Sequence, residues 1–104
     1  MHDKQLTVFE YQALVKQLVH ERGFDDETVA EVFTLLVEEV GELAKALRKA
    51  NGQKIDKARK QHNVNEELAD VFWYVLDLAN RLGIDLAKAF DDKEAANKKR
   101  NWTT

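Results

Sequence analysis

The chain has 104 residues, 44% of them hydrophobic and 34% charged, a size and balance that fit one globular domain spanning 1–104 and leave no room for a second. A formal charge of −3 gives no general attraction to nucleic acid polymers or to anionic membranes. With no cysteine, disulfides, thiolate metal centres and cysteine nucleophiles are excluded, and any metal must sit on oxygen or imidazole.

The opening stretch MHDKQLTVFE holds no apolar segment long enough for a signal sequence, and the longest apolar run, Val71 to Leu76, is too short to cross a bilayer. A cytoplasmic protein is expected. Proline is absent, glycines number four, and no run alternates with a β period, so the periodic segments read as helices. The first helix is predicted from Thr7 to Glu21, with Phe9, Ala13, Leu14, Gln17 and Leu18 on its inward side and Gly23 closing it. The second runs from about Asp26 to Ala50, with an apolar stripe of Val29, Val32, Phe33, Leu36, Val40, Leu43 and Leu47, and Asn51-Gly52 stops it.

Residues 51–63, NGQKIDKARKQHN, are polar and lysine-rich and are expected to form a weakly ordered connection or a short exposed helix. The third helix is predicted from a cap near Asn65 to Leu82, with Leu68, Val71, Phe72, Val75, Leu76 and Ala79 inward. A fourth begins after Asp85, and its stripe changes from apolar to basic and amide: Leu86, Ala89, Phe90, Lys93, Asn97, Arg100. The fold class is all-α, a four-helix antiparallel protomer. A chain this short buries only about two-thirds of its unfolded surface, so a helix with two faces to cover needs a partner chain. Oligomerisation is therefore expected.

The segment LLVEEVGELAKAL, residues 35–47, sets Glu38, Glu39 and Glu42 inside an apolar run. Glu39 and Glu42 lie beside the aliphatic stripe with Leu35 and Ala46, so this helix has one aliphatic face and one of carboxylates framed by apolar residues. On the third helix Glu67 and Asp70 repeat the three-residue spacing, with Tyr74 and Leu78 at successive turns beyond. Spacing alone carries little, because the acidic content gives about three such pairs by chance and three occur, the last being Asp91/Glu94. The apolar framing is what separates the first two pairs from a solvated acidic face.

If the two pairs face one another, four carboxylates converge, and each pair of charges about 4 Å apart repels by about 4 kcal/mol at an effective dielectric of about 20. A divalent cation or shared protons must resolve that repulsion. All-carboxylate ligation selects hard ions, Mg²⁺ with Mn²⁺ as a substitute, which bind readily through substrate phosphates. A di-iron bundle would need Glu-x-x-His, and none of the three histidines follows a glutamate by three.

These residues resemble the MazG-type nucleoside triphosphate pyrophosphohydrolases, an all-α family with the pattern EExxE…ExxD. EEVGEL at 38–43 and EELADVFWYVLDLANRLGIDL at 66–86 carry the likeness, with HERGF at 20–24 upstream and KEAANKKR at 93–100 downstream. The resemblance implies Glu39, Glu42, Glu67 and Asp70 as Mg²⁺ ligands and Glu38 as the group that activates the attacking water, so Glu38 and Glu39 are the catalytic candidates. It also implies nucleotide contacts from Phe24, Tyr74, Lys93, Asn97 and Arg100, whereas Trp73 reads as core or subunit interface. The implied reaction cleaves a (deoxy)nucleoside triphosphate between its α- and β-phosphates, giving monophosphate and pyrophosphate, in the service of nucleotide-pool house-cleaning. It also implies sites built where helices of two subunits meet, in a helical-bundle homodimer or homotetramer. Phosphoribosyl-ATP pyrophosphohydrolysis and a non-enzymatic helical interaction module are the competing readings.

Overall fold

The computed structural model describes residues 4–52 and 63–100, and in them the chain is all-α: α1 Val8–Glu21, α2 Val29–Ala50, α3 Val64–Arg81 and α4 Leu86–Lys98, with no strand among the described residues. Most of the 51–63 connection, and Trp102, lie outside the described residues.

The helix ends follow from side chains that satisfy the first unpaired amides. Thr7 caps α1 by accepting from the Glu10 amide, while Glu10 accepts from the Thr7 amide. Thr28 and Glu31 build the same reciprocal box at α2, so that helix starts at Val29 and not near Asp26 as expected. Asn63 caps α3 by accepting from the Glu66 amide; Asn65, the expected cap, falls inside the first turn. Asp85 caps α4 as predicted, accepting from the Lys88 amide. Gly23 follows α1 with φ of 75°, a left-handed backbone that a Cβ would strain.

Helix α2 packs chiefly on α3, α1 packs on α3, and α4 packs on α1. The core is small: Val15, Val19 and Leu76, with Tyr11, Trp73 and Leu86 against it. The inward side of α1 is therefore Gln12, Val15 and Val19, and the expected side is displaced, with Phe9 and Ala13 exposed and Leu14 and Leu18 only half-buried. Apolar residues lie all round this helix, so tertiary contacts choose the face. Gln12 bolts α1 to the α3–α4 turn, its amide donating to the Ile84 carbonyl at 2.6 Å and accepting from the Leu86 amide at 3.1 Å. Asn80 adds a bond to the Gln12 carbonyl.

Helix α2 follows the expected division of labour only in part. Val32 and Ala46 are buried on it, and Leu35, Leu36, Glu39, Glu42 and Leu43 are half-buried, so the carboxylate-bearing side is the one laid toward the body of the protomer. The expected aliphatic stripe is thus split: Val32, Leu36 and Leu43 turn inward, whereas Phe33 at 56%, Val40 at 48% and Leu47 at 44% of full accessibility stay exposed. Leu68 and Phe72 of α3, also expected inward, are exposed as well. The radius of gyration, 16.7 Å, exceeds the about 13 Å of a compact chain of this length.

Candidate functional site

Helix α3 carries one polar stripe through an otherwise apolar sequence: Glu67, Asp70, Tyr74, Asp77 and Arg81 recur at three- and four-residue steps and so share a face. Against its N-terminal half lies Glu39 of α2. Glu39, Glu67 and Asp70 each place a carboxylate oxygen within 4.8 Å of the others. Their environments differ, since Glu67 is 1% exposed, Glu39 half-buried and Asp70 exposed. The Glu39 carboxyl is pushed up to about 7, first by burial and then by the shared hydrogen bond with Glu67 and the charges of Asp70, Glu67 and Glu42. Three carboxyl groups crowded this closely form a donor set that fits a divalent cation.

Glu42, the fourth expected member, is half-buried one turn along α2 and lies outside this close triad. Its charge is felt at Glu39, and Lys45 stands 3.5 Å from it. Lys45 was not singled out in the sequence, although the three-residue step from Glu42 was there to be read. Glu38 is exposed and is not one of the cavity-lining residues.

Beside the triad opens a cavity of about 240 Å³ lined by Arg22, Phe24, Glu27, Glu39, Asp70, Trp73 and Tyr74. The expected Phe24 and Tyr74 are thus brought to the carboxylates. Trp73 does both jobs: it packs on the core as expected and also lines the cavity, its ring meeting Tyr74 edge-on at 5.3 Å between centroids. The Tyr74 phenol is held above its ordinary range by burial and then by the charges of Glu39, Glu27, Asp70 and Asp77, so it stays protonated and able to donate. Arg22 and Glu27 were missed in the sequence; both flank the α1–α2 turn, and only the fold shows that this turn borders the acids.

Lys93, Asn97 and Arg100 do not line this cavity. They sit on α4, which packs on α1, with Lys93 exposed and Asn97 donating to Glu94 at 3.0 Å.

Residues 27–101 match the family model of the MazG nucleotide pyrophosphohydrolase domain. No curated protein sequence matches the chain. Among solved structures, iMazG from Vibrio DAT 722 is 35% identical over 93% of this chain and 100% of its own, with a TM-score of 0.70. YPJD from Bacillus subtilis is 31% identical over 97% of this chain and 100% of its own, with a TM-score of 0.78. A cyanophage S-2L MazG-like pyrophosphohydrolase, bound to dGDP and three catalytic Mn²⁺ ions per active site, is 30% identical over 95% of this chain and 88% of its own, with a TM-score of 0.70.

Proposed function

The chain belongs to the MazG family of nucleotide pyrophosphohydrolases and is a hydrolase of that kind; from that premise we propose that it takes nucleoside triphosphates, cleaves them between the α- and β-phosphates, and does so with Mg²⁺ or, in its place, Mn²⁺. The observation that carries this reading is the Glu39–Glu67–Asp70 triad opening directly onto an aromatic-lined cavity. The triad, joined by Glu42, would hold the divalent ions. When bound they would neutralise phosphate charge and polarise the α-phosphorus.

The remaining work falls to this chain's own side chains. Phe24 and Trp73 offer flat apolar faces for a base, and Arg22 supplies positive charge at the same cavity. Tyr74 donates its hydroxyl proton toward a phosphate or sugar oxygen beside Asp70. Glu38, exposed on α2 next to Glu39, is proposed as the activator of the attacking water on the family likeness alone. Catalysis rests on placing a water in line with the leaving pyrophosphate and compensating charge, without a covalent intermediate.

The exposed apolar stripes of α2 and α3 support assembly into a dimer or tetramer, since monomers rarely leave such contiguous faces to water. In that assembly Lys93, Asn97 and Arg100 serve the site of a neighbouring copy, because α4 packs on α1 and away from its own cavity. Among the described residues no helix is long and apolar enough to cross a membrane, in keeping with action on a cytoplasmic nucleotide pool.

The test incubates pure protein and Glu39→Gln with Mg²⁺ or Mn²⁺ and a panel of deoxy- and ribonucleoside triphosphates together with phosphoribosyl-ATP. The expected result is pyrophosphate from at least one nucleoside triphosphate in the wild type only. Equal yields from wild type and variant, or none from any substrate, would sink the reading. Calorimetry with a nonhydrolysable nucleotide then separates an enzyme from an interaction module, which would show no metal-dependent binding.

A further inference from the structure

The polar stripe of α3 continues past Tyr74 to a buried ion pair that the proposed chemistry does not use. Asp77 is 2% exposed, and its Oδ1 accepts from Arg81 Nε at 2.9 Å. The Arg81 side chain is itself largely buried. A buried arginine and aspartate four residues apart cost desolvation, and by themselves they give a helix little. What repays the cost lies on the other side of the guanidinium. Arg81 Nη2 donates to the Phe24 carbonyl at 2.9 Å, and Nη1 donates to the Glu27 carbonyl and, at 3.4 Å, to that of Asp25. The Glu27 carboxylate stands 3.9 Å from Nη2.

One guanidinium therefore gathers three backbone carbonyls of the α1–α2 turn, from residues 54 to 57 positions away in sequence. That turn carries Phe24 and Glu27 into the wall of the cavity, and the helix that clamps it carries Glu67, Asp70 and Tyr74. The planar fork of arginine suits this task, since it directs several N–H groups in fixed directions, whereas a lysine ammonium is a single point. We infer that Arg81, oriented by Asp77, is a positioning residue that fixes the 24–27 turn as the base-facing wall of the nucleotide site, in register with the metal-binding carboxylates. This rests on the cavity being a nucleotide site. Arg81 touches no reacting atom. It decides how well the nucleoside is held, and it leaves the triphosphate end alone.

The test compares wild type, Arg81→Lys, which keeps the charge beside Asp77 but loses the fork, and Asp77→Asn, which keeps an acceptor for Nε. The substrate is whichever nucleoside triphosphate the wild type hydrolyses fastest, and inorganic triphosphate serves as a base-free competitive inhibitor. For Arg81→Lys, KM should rise by about tenfold or more with kcat within about threefold, and the inhibition constant of inorganic triphosphate should not move. Asp77→Asn should shift KM in the same direction by less. Hydrogen exchange at the Phe24 and Glu27 amides should quicken in Arg81→Lys, with the α2 and α3 amides unchanged. An unaltered KM, an equal weakening of inorganic triphosphate, or unaltered exchange at those two amides overturns the inference. Should the wild type hydrolyse no nucleotide, the functional reading fails and the exchange measurement alone decides whether the clamp exists.

Discussion

The two sides of α2 invert what their composition advertises. The side holding Phe33, Val40 and Leu47 carries no carboxylate, yet it faces outward; the side that mixes Val32, Leu36 and Leu43 with Glu39 and Glu42 faces the protomer. The difference teaches that hydrophobic periodicity reports which surface has to be covered and says nothing about which chain covers it. It also shows where a protein accepts electrostatic cost. Carboxylates gathered against α3 are unfavourable for folding, a cost that the divalent ions proposed above would offset.

The sharpest way to break this comparison is at the buried acid. Glu67→Gln should cost pyrophosphate release about a thousandfold, near 4 kcal/mol of barrier, while leaving the metal-free protein as stable as wild type or more so, read by steady-state rates and thermal unfolding. A loss of stability matching the loss of activity would mean that Glu67 is a structural acid. Next in size, Leu76→Ala should lower unfolding free energy by about 3 kcal/mol in urea titrations, since Leu76 is 1% exposed at the centre of the core. The outward side is probed by Phe33→Asp, for which sedimentation should show a smaller particle than wild type. An unchanged mass would leave that stripe bare and remove the reason offered for its composition.

A subtler effect comes from Glu39. Its carboxyl, raised to about 7 in the folded chain from an ordinary 4.5, binds its proton more tightly folded than unfolded. Its contribution is therefore fully present below pH 4.5 and is lost as pH rises through about 7. Calorimetry of metal-free protein should show the midpoint falling across that window, and Glu39→Gln should flatten the slope. A slope unchanged in the variant would assign it to another group.

Much of this was legible in the sequence. The four helices, the Asp85 cap and the framed acidic pairs follow from residue order, because caps and periods are local. The α2 start was misplaced because Asp26 is also a good cap; only the reciprocal Thr28–Glu31 bonds single out the true one. The inward face of α1 was not legible and that of α2 only in part, through Val32, Leu36 and Leu43, because both helices are apolar on more than one side and the choice is made by contacts distant in sequence. Arg22, Glu27 and Arg81 escaped for the same reason, as their meeting spans more than fifty residues. Asp77 alone left a trace. It sits in the apolar run VFWYVLDLAN just as Glu39 sits in its own, so the same apolar framing marks both carboxylates.

The turn after α1 is bracketed by a left-handed Gly23 on one side and the Thr28–Glu31 box on the other. Both helix ends are closed by their own local chemistry, so neither needs the identity of the residues between them. If the cavity holds the nucleoside as inferred above, residues 24–27 form a cassette: exchanging its side chains would retune which base is welcomed, while the backbone carbonyls that anchor it stay the same for any sequence. Ligand preference and phosphate chemistry would in this way be separately mutable, and a change of diet would not have to pass through a loss of catalysis.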